Sequence, residues 1–389
     1  MIPLTRRTAL RSAILAAGSA LLPNFGCSLQ DSREPSLDGL VNLPDFESRA
    51  KEKIAFPTYE FISGGSADER TLRWNREALD RIRLRPKVLV DVSAVDTRVT
   101  LFGQELPHPI LLAPTAYHRL VHPEGELATV RGAGVAEATM VTSMTATTAM
   151  EEVARAATRP VWMQLYVPQD RGFTREFVRR AEAAGCRALC VTVDLPVIGT
   201  NDRERRSGFT LPDGIDLPNL RGLNLQGSGS SRARTARAMQ RERLTWKDIE
   251  WLRSECGVPL LLKGVLNPDD ADQAARLGIS GLIVSNHGGR ALDTVPASVD
   301  ALRAVADKVA DRIPLLVDGG IRRGTDVLKA LALGARAVLI GRPYLYGLAL
   351  GGAEGVARTV RILRTELEVA LALSGRPSLA SIDRSLLWP

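Results

Sequence analysis

The sequence of 389 residues predicts a closed (β/α)8 barrel. Short apolar runs of five to eight residues alternate eight times with amphipathic stretches of ten to fifteen. Each run is apolar until its last residues, which is typical of parallel strands buried on both faces. Eight alternations of strand and helix close a parallel sheet into a barrel. A doubly wound open sheet is the alternative, but it usually has fewer strands and a glycine-rich turn after the first one.

The eight predicted strands follow one another along most of the chain. They are residues 109–116, 139–144, 161–167, 188–194, 260–265, 281–286, 314–319 and 337–341. Helical patterns lie between them, for example at 175–184, 271–277 and 325–333. The first strand ends Ala113-Pro114-Thr115-Ala116, where an open nucleotide-binding sheet would carry its glycines, so the barrel is the preferred fold.

The first of three predicted parts of the chain is an export signal. Residues 1–27 carry Arg6, Arg7 and Arg11 and then an apolar run that is too short to span a membrane, a pattern typical of an export signal. The adjacent arginines resemble a twin-arginine signal, so we expect export to the periplasm or to the outer face of the cytoplasmic membrane. A basic tail on a cytoplasmic protein is the alternative. Lipid attachment at Cys27 also stays open, although the residues before it fit such a site poorly.

The polar segment 28–50, with Pro35 and Pro44, predicts a linker, and the domain itself is expected at 51–389. Within that domain, 51–105 reads as a helical extension followed by short extended pieces. The connection after the fourth strand runs from about 195 to 244 and is long for a compact domain. A lid or a partner-contact segment is one interpretation of this loop, and a dispensable insertion is the other.

Composition excludes several classes of protein. Hydrophobic residues make up 45% and charged residues 24%, too apolar for a disordered chain. Four cysteines rule out a disulfide scaffold. The net charge of +7 falls to +4 without the three arginines of 1–27, too little to predict nucleic-acid binding. The basic cluster 232–243 predicts a solvated surface or, alternatively, contact with an anionic membrane surface or partner.

Polar residues at the carboxyl ends of barrel strands face the active site. In chain order the residues at the eight strand ends are Pro114, Thr115 and Ala116; Ser143; Gln164 and Tyr166; Thr192 and Asp194; Lys263; Ser285 to Arg290; Asp318 to Gly324; and Gly341 to Pro343. No cysteine or histidine cluster has metal-ligand spacing, so we predict no metal.

Glycines and arginines after the last two strands predict a phosphate site. Gly319, Gly320 and Arg322 follow one strand, and Gly341 and Arg342 follow the next. Small residues let backbone N–H groups approach an anion, and arginine binds it with a forked donor. A tight turn alone would also explain the paired glycines, but not the arginines at both strand ends.

His287 is one of only four histidines and lies at a strand end. Asp194, at the end of another strand, is a candidate to hold one imidazole nitrogen, which would leave the other free as a base. Arg290 is placed to bind a substrate carboxylate. Lys263, at the end of a buried strand, would be costly without a functional purpose.

These motifs resemble the FMN-dependent L-2-hydroxy acid oxidase/dehydrogenase family, which includes glycolate oxidase, lactate oxidase, mandelate dehydrogenase and the flavin domain of flavocytochrome b2. The likeness covers roughly residues 40–385. Its most specific pieces are Gln164-Leu-Tyr166, Ser285-Asn-His-Gly-Gly-Arg290, Asp318-Gly-Gly-Ile-Arg-Arg-Gly-Thr-Asp326 and Ile340-Gly-Arg-Pro343.

The resemblance implies FMN as the cofactor and a role for each motif residue. His287 would be the base paired with Asp194, Arg290 and Tyr59 would hold the substrate carboxylate, and Tyr166 would bind the substrate hydroxyl. The remaining positions would contact the cofactor: Pro114, Thr115, Ala116, Ser143, Gln164, Thr192, Lys263 and Ser285 near the ring and ribityl chain, and Asp318, Gly319, Gly320, Ile321, Arg322, Gly341 and Arg342 toward the phosphate. The family also implies a homo-oligomer, often a homotetramer.

The sequence departs from the family at two positions. Seven residues after Asp194, where the family usually has an arginine, this chain has Asn201, with Arg203 two residues further on. Arg203 could substitute only if the loop shifts. Thr145 replaces the bulky aromatic residue of glycolate oxidase, which indicates a roomier pocket.

The expected reaction is oxidation of an L-2-hydroxy acid, lactate-like or larger, to the 2-keto acid. The expected electron acceptor is oxygen or a quinone or cytochrome. A flavin-binding barrel without turnover, acting as a sensor or interaction protein, is the alternative.

Overall fold

Eight parallel strands follow one another around a single sheet in the computed structural model, which describes residues 37–223 and 244–389. The strands are β3 (Ile110–Leu112), β4 (Val141–Thr142), β5 (Trp162–Leu165), β6 (Leu189–Thr192), β7 (Leu260–Val265), β8 (Gly281–Val284), β9 (Leu315–Asp318) and β10 (Ala337–Ile340). The last strand, β10, pairs with β3, and a bridge between Leu112 and Met140 joins β3 to the start of β4. The predicted (β/α)8 barrel is therefore confirmed.

An N-terminal extension precedes the barrel, as predicted. It contains α1 (Leu43–Lys53), α2 (Phe56–Ser63), α3 (Arg70–Arg81) and the hairpin β1 (Val99–Leu101) and β2 (Gln104–Leu106). The helices that follow are α4 (Glu126–Val135), α5 (Met150–Ala156), α6 (Arg171–Ala183), α7 (Asp202–Ser207), α8 (Trp246–Glu255), α9 (Pro268–Arg276), α10 (Ser298–Val309), α11 (Gly324–Ala332) and α12 (Arg342–Leu373). Gly351 and Gly352 interrupt α12 with non-helical backbone.

The linker prediction is wrong for residues 43–50, which form most of α1. Asn42 and Asp45 form a reciprocal capping box, and Pro44 occupies the first turn, where its missing N–H costs nothing. The proline that suggested a linker is thus a helix-start residue. Leu43 and Phe46 are fully buried, so this helix contributes to the core.

The barrel interior explains why the site residues lie where they do. Side chains two residues apart on a strand share one face. In five strands an apolar residue in the barrel interior is followed, two positions later, by a buried polar residue within two residues of the strand end. The pairs are Trp162 and Gln164, Cys190 and Thr192, Leu261 and Lys263, Ile283 and Ser285, and Leu316 and Asp318. The carboxyl ends of the strands therefore close the apolar core with a polar layer.

Some expectations concern residues outside the described parts of the chain. These are the export signal at 1–27, lipid attachment at Cys27 and the basic cluster 232–243. Among the residues that the structure covers, no helix is both long and apolar enough to cross a bilayer. Cys186, Cys190 and Cys256 are free thiols, and burial raises the pKa of each to about 12, so they stay protonated near neutral pH.

Candidate active site

A cavity opens at the carboxyl ends of the strands, between the polar layer and α2. Its lining contains most of the predicted site residues: Thr115, Ala116, Lys263, His287, Arg290, Asp318, Gly319, Gly320, Ile321, Arg322, Gly341 and Arg342. Ser143, Gln164, Thr192 and Ser285 lie in the buried layer next to it. Tyr166 and Thr192 line a neighbouring cavity together with Gly264. Tyr59 and Pro114 do not line either of these two cavities.

His287 and Asp194 form the predicted pair. The Nδ1 atom of His287 lies 3.0 Å from Oδ1 of Asp194. The backbone of His287 is left-handed, with φ at 59°, and its N–H donates to Oγ of Ser285 at 3.0 Å. Burial alone would raise the pKa of Asp194, but the His287 imidazole and then the Lys263 ammonium outweigh it and hold this pKa below its usual value. Asp194 is therefore an anion that orients a histidine.

Gly264 makes room for this carboxylate. It interrupts β7 at an irregularity between Lys263 and Val265, with φ at 109°. A Cβ atom on Gly264 would lie 2.4 Å from the Asp194 carboxyl carbon, far below van der Waals contact. Only glycine combines this backbone conformation with this close approach.

Lys263 lies at the centre of the polar layer, with 4% of its surface exposed. Its ammonium donates to Ser285 Oγ at 3.0 Å and pairs with Asp318 Oδ2 at 3.0 Å. Burial would lower the pKa of Lys263, yet the carboxylates of Asp318 and Asp194 raise it above its usual value. The lysine is thus a fixed, buried cation.

Gln164 joins the ends of three strands. Its side-chain oxygen accepts from Ser143 Oγ at 3.2 Å and from the Met144 N–H at 3.1 Å. Its side-chain nitrogen donates to Thr192 Oγ at 2.9 Å. Thr145 is buried and contacts Ser143 Oγ at 2.9 Å, so a small hydroxyl stands where a bulky aromatic side chain would otherwise project.

Arg290 and Arg342 converge on the C-terminal end of α2. Arg290 donates to the carbonyls of Phe61 and Gly64 at 2.7 and 2.9 Å, and Arg342 donates to Gly64 and Gly288 at 2.9 Å. Helix C-termini carry partial negative charge, so they attract such cations. Burial, followed by repulsion from Arg290, lowers the pKa of Arg342 to about 10. Two guanidinium groups packed this closely favour the arrival of an anion.

The two tyrosines predicted to bind substrate are held differently. Tyr59, on α2, is buried and stacks on Tyr346 with ring centroids 6.2 Å apart. Burial and then Glu47 raise its pKa. Burial, followed by the negative charge of Asp194, also raises the pKa of Tyr166. Both phenols therefore keep their protons at neutral pH and can act as hydrogen-bond donors.

Arg203 does not replace the family arginine. Its guanidinium makes two hydrogen bonds of 2.7 Å to the Glu60 carboxylate and one of 3.0 Å to Ser63 Oγ. A forked arginine–carboxylate pair of this kind is strong and specific. Asn201 is the N-cap residue before α7, and its side-chain oxygen is buried without a hydrogen-bond partner among the described residues. The positive charge expected at position 201 is thus missing.

Several supporting residues were not found from sequence. Asn75, on α3, exchanges hydrogen bonds with Asn286 at 2.9 and 2.8 Å, and its backbone carbonyl packs against Gly320. Arg76, next to it, pairs with Asp326 at 2.7 Å. These partners are more than 200 residues apart, so no local pattern reveals them. His118 was accessible to sequence reasoning, because it is one of four histidines and follows Thr115 by three residues.

A family model described as FMN-dependent dehydrogenase matches residues 50–389. The chain is 47% identical over 356 residues to an L-lactate oxidase of Nostoc sp., covering 89% of this chain and 98% of that protein. It is 44% identical over 353 residues to glycolate oxidase 1 of Oryza sativa subsp. indica, covering 90% and 96%. Among solved structures, a mandelate oxidase superposes with a TM-score of 0.83 at 38% identity, covering 90% of this chain and 98% of that one.

The residues at the cavity fit FMN. Oδ1 of Asp318 is buried with no hydrogen-bond partner among the described residues, so it is available to a ligand hydroxyl. Gly319 and Gly320 both have positive φ beside it, and a Cβ on Gly320 would lie 2.2 Å from the carbonyl oxygen of Asn75. Lys263 supplies a buried cation, while Arg322 and Arg342 supply cations for a phosphate. The chain belongs to the FMN-dependent dehydrogenase family, as an FMN-dependent oxidoreductase of the 2-hydroxy acid oxidase group.

Proposed function

We propose that the protein oxidises an L-2-hydroxy acid, lactate-like or larger, to the corresponding 2-keto acid. Bound FMN supplies the two-electron acceptor for this chemistry. The observation that carries the proposal is that His287, paired with Asp194, lines the same cavity as Arg290, because this places a base beside a carboxylate-binding cation. The names of the relatives, which act on lactate, glycolate and mandelate, support the substrate class.

His287 is the proposed base. Asp194 occupies its Nδ1, so Nε2 is the nitrogen that takes a proton from the substrate, from either its α-carbon or its hydroxyl. The protonated ring then lies 3.0 Å from a carboxylate whose pKa is lowered, so the positive charge that forms is stabilised as it forms.

Arg290 is the proposed ligand of the substrate carboxylate. In this structure its donors bind main-chain carbonyls of α2, and a carboxylate is a stronger acceptor than these neutral groups. Tyr59, on the same helix, is proposed as the second ligand of the carboxylate. Tyr166 keeps its proton and is proposed to donate to the substrate hydroxyl. Holding both ends of the acid in this way fixes the reacting carbon relative to His287.

Lys263 is proposed to compensate the negative charge that accumulates in the cavity when electrons arrive. Its ammonium is buried, and its raised pKa keeps it charged. A fixed cation in a dry site stabilises such charge more than an exposed one would.

The decisive test is His287→Gln, with His122→Gln as the matched control outside the cavity lining. The purified His287→Gln protein should keep its yellow FMN but lose anaerobic reduction by L-lactate or L-mandelate about 10²- to 10⁴-fold, the usual contribution of a general base. His122→Gln should behave like the parent protein. Normal reduction of the His287→Gln protein would exclude this histidine as the base. Bleaching of the parent by neither acid, nor by glycolate, would favour the flavin-binding barrel without turnover.

Oxygen is the proposed electron acceptor, supported by the oxidase names of the relatives. A quinone or cytochrome is the second candidate, favoured by the export-like pattern of residues 1–27. Stopped-flow mixing of the reduced protein with air-saturated buffer separates the two. If the flavin were reoxidised more slowly than the enzyme turns over, oxygen would be excluded as the acceptor. Export, membrane-surface contact and a homotetramer stay predictions.

A further inference from the structure

A buried polar cluster lies behind the cavity wall at the end of β3, and the proposed reaction does not use it. We call it the Thr115 cluster; it consists of Thr115, His118, Thr129 and Tyr344. Thr115 lines the cavity. The other three side chains are at most 1% exposed. His118 is thus a fully buried titratable group separated from the cavity by one threonine.

The contacts of the cluster form a continuous chain. Oγ of Thr115 lies 2.8 Å from Nε2 of His118 and also contacts the Tyr344 hydroxyl. The Tyr344 hydroxyl donates to the Ala113 carbonyl at 2.8 Å. On the other side of the ring, Nδ1 of His118 lies 2.9 Å from Oγ of Thr129. The Thr129 hydroxyl donates to the Gly125 carbonyl at 3.2 Å.

We assign the proton directions along this chain starting from Thr129. Its hydroxyl donates to the Gly125 carbonyl, and with that proton engaged Thr129 accepts from Nδ1 of His118. His118 therefore carries its proton on Nδ1, and in a neutral ring Nε2 must then be an acceptor. Two hydroxyls lie within hydrogen-bond distance of Nε2 among the described residues, Thr115 at 2.8 Å and Tyr344 at 3.3 Å; because Tyr344 donates to Ala113, we assign Thr115 as the donor. The proton of Thr115 is thereby turned away from the cavity.

Burial favours a neutral ring at His118. It lowers the pKa of His118, and the Glu126 carboxylate raises this pKa only in part. Glu126 accepts from the backbone N–H of His118 at 3.2 Å, from the Thr147 N–H at 2.8 Å and from the hydroxyls of Thr147 and Thr148 at 2.6 and 3.0 Å. Tyr344 and Thr129, which face the ring from α12 and α4, add no charge.

We propose that His118 is a positioning residue that fixes the Thr115 hydroxyl as a hydrogen-bond acceptor toward bound FMN. FMN offers donors that such an acceptor can bind, namely the ring N3–H and the ribityl hydroxyls. This inference rests on the proposed placement of the cofactor against Thr115. It assigns to His118 and Thr129 a role in cofactor binding that the catalytic set of His287, Asp194 and Arg290 does not include.

A double-mutant cycle on FMN affinity tests the inference. The dissociation constant of FMN is measured on the apoproteins of the parent, Thr115→Val, His118→Leu and the double variant. Each single variant should weaken FMN about three- to tenfold, the range of one neutral hydrogen bond. The double variant should be no weaker than Thr115→Val alone, because His118 acts only through that hydroxyl. His118→Gln, which keeps an acceptor on a side chain of similar length, should return within about twofold of the parent.

Three results would overturn the inference. The first is a double variant that loses the product of both single effects, because His118 would then support the fold independently of Thr115. The second is unchanged FMN affinity in Thr115→Val, and the third is a His118→Gln protein as weak as His118→Leu. Failure of the proposed function looks different: the parent would then bind FMN normally and not be reduced by any of the L-2-hydroxy acids.

The tautomer gives a readout independent of affinity and activity. In ¹⁵N NMR spectra of the FMN-loaded protein, the histidine signal that disappears in His118→Gln should show a neutral ring protonated at Nδ1 at pH 7. Most neutral histidines in water favour the other tautomer, so this is a specific expectation. A proton on Nε2, or a charged ring, would contradict the proton count and overturn the inference.

Discussion

Two histidines lie close to strand ends of the same barrel, yet their surroundings differ in charge. His287, after β8, has a carboxylate 3.0 Å from its Nδ1. The ring nitrogens of His118, after β3, lie within hydrogen-bond distance of the uncharged hydroxyls of Thr115, Thr129 and Tyr344. His287 also retains 23% exposure of its side chain, whereas His118 is 1% exposed. The comparison indicates that an anionic partner and an open face make an imidazole a base, and that neutral partners and burial make it a fixed hydrogen-bonding element.

Removing the negative charge beside His287 should produce the largest effect. Asp194→Asn keeps the size of the side chain but can no longer stabilise the protonated imidazole, and it can present the wrong group to Nδ1. The rate constant of flavin reduction should fall about 10²- to 10⁴-fold while FMN is retained. Asp272→Asn, in an ion pair with Arg312 on the outer helices, is the control and should reduce at the parent rate. An Asp194→Asn protein within threefold of the parent would show that the charge of Asp194 is not needed.

Displacing the Asp194 carboxylate without removing its charge should lower turnover less than Asp194→Asn does. Gly264→Ala places a methyl group 2.4 Å from the Asp194 carboxyl carbon, in a backbone conformation that alanine rarely adopts. A shift of about an ångström at the base can lower turnover on the order of 10²-fold. At Gly185 φ is 86°, and an added Cβ would have no neighbouring atom within 4 Å, so Gly185→Ala is the matched control for backbone strain alone. Equal turnover in the two variants would mean that the contact with Asp194 is irrelevant.

A smaller effect is expected from a change at position 201. Position 201, which lines neither cavity, carries asparagine where the family usually has arginine, and Arg203 is paired with Glu60. Asn201→Arg should therefore lower KM for a small acid such as L-lactate about three- to tenfold, with kcat changed less, because it adds binding to the carboxylate in both the ground and transition states. Asn201→Gln adds length without charge and should not lower KM. A lower KM in both variants would attribute the effect to size.

The site residues at the strand ends could be predicted from the sequence, whereas the contacts made by the N-terminal helices could not, for a physical reason. Lys263, His287 and Asp318 could be assigned because a parallel strand places its last inward side chain at the barrel mouth, which is a local rule. Asn75 lies on α3, which precedes the barrel strands, and it binds Asn286, the residue before His287. No sequence spacing indicates such a contact. The role of Arg203 depended on whether Glu60 lay within reach, which only the packing of α2 against α7 decides. Pro44 misled because one residue type serves both linkers and helix starts.

Buried neutral histidines should make a small contribution to the pH dependence of the free energy of unfolding. Burial lowers the pKa of His118 and also of His108, whose Nε2 lies 2.9 Å from the Ala136 carbonyl oxygen. In the unfolded chain both would titrate near 6.5. The unfolded state therefore binds more protons as pH falls below 6.5, so the free energy of unfolding declines there, whereas above 6.5 these two groups contribute no slope.

Urea unfolding of the apoprotein between pH 5 and 8 checks this contribution. His118→Gln and His108→Gln should each remove part of the loss of stability below pH 6.5, and the double variant should remove most of it. An unchanged slope in the double variant would contradict the neutral state of both rings. If His108→Gln alone removed the whole loss, His118 would take up its proton in the folded protein as it does in the unfolded chain, against the contrast with His287 on which its positioning role depends.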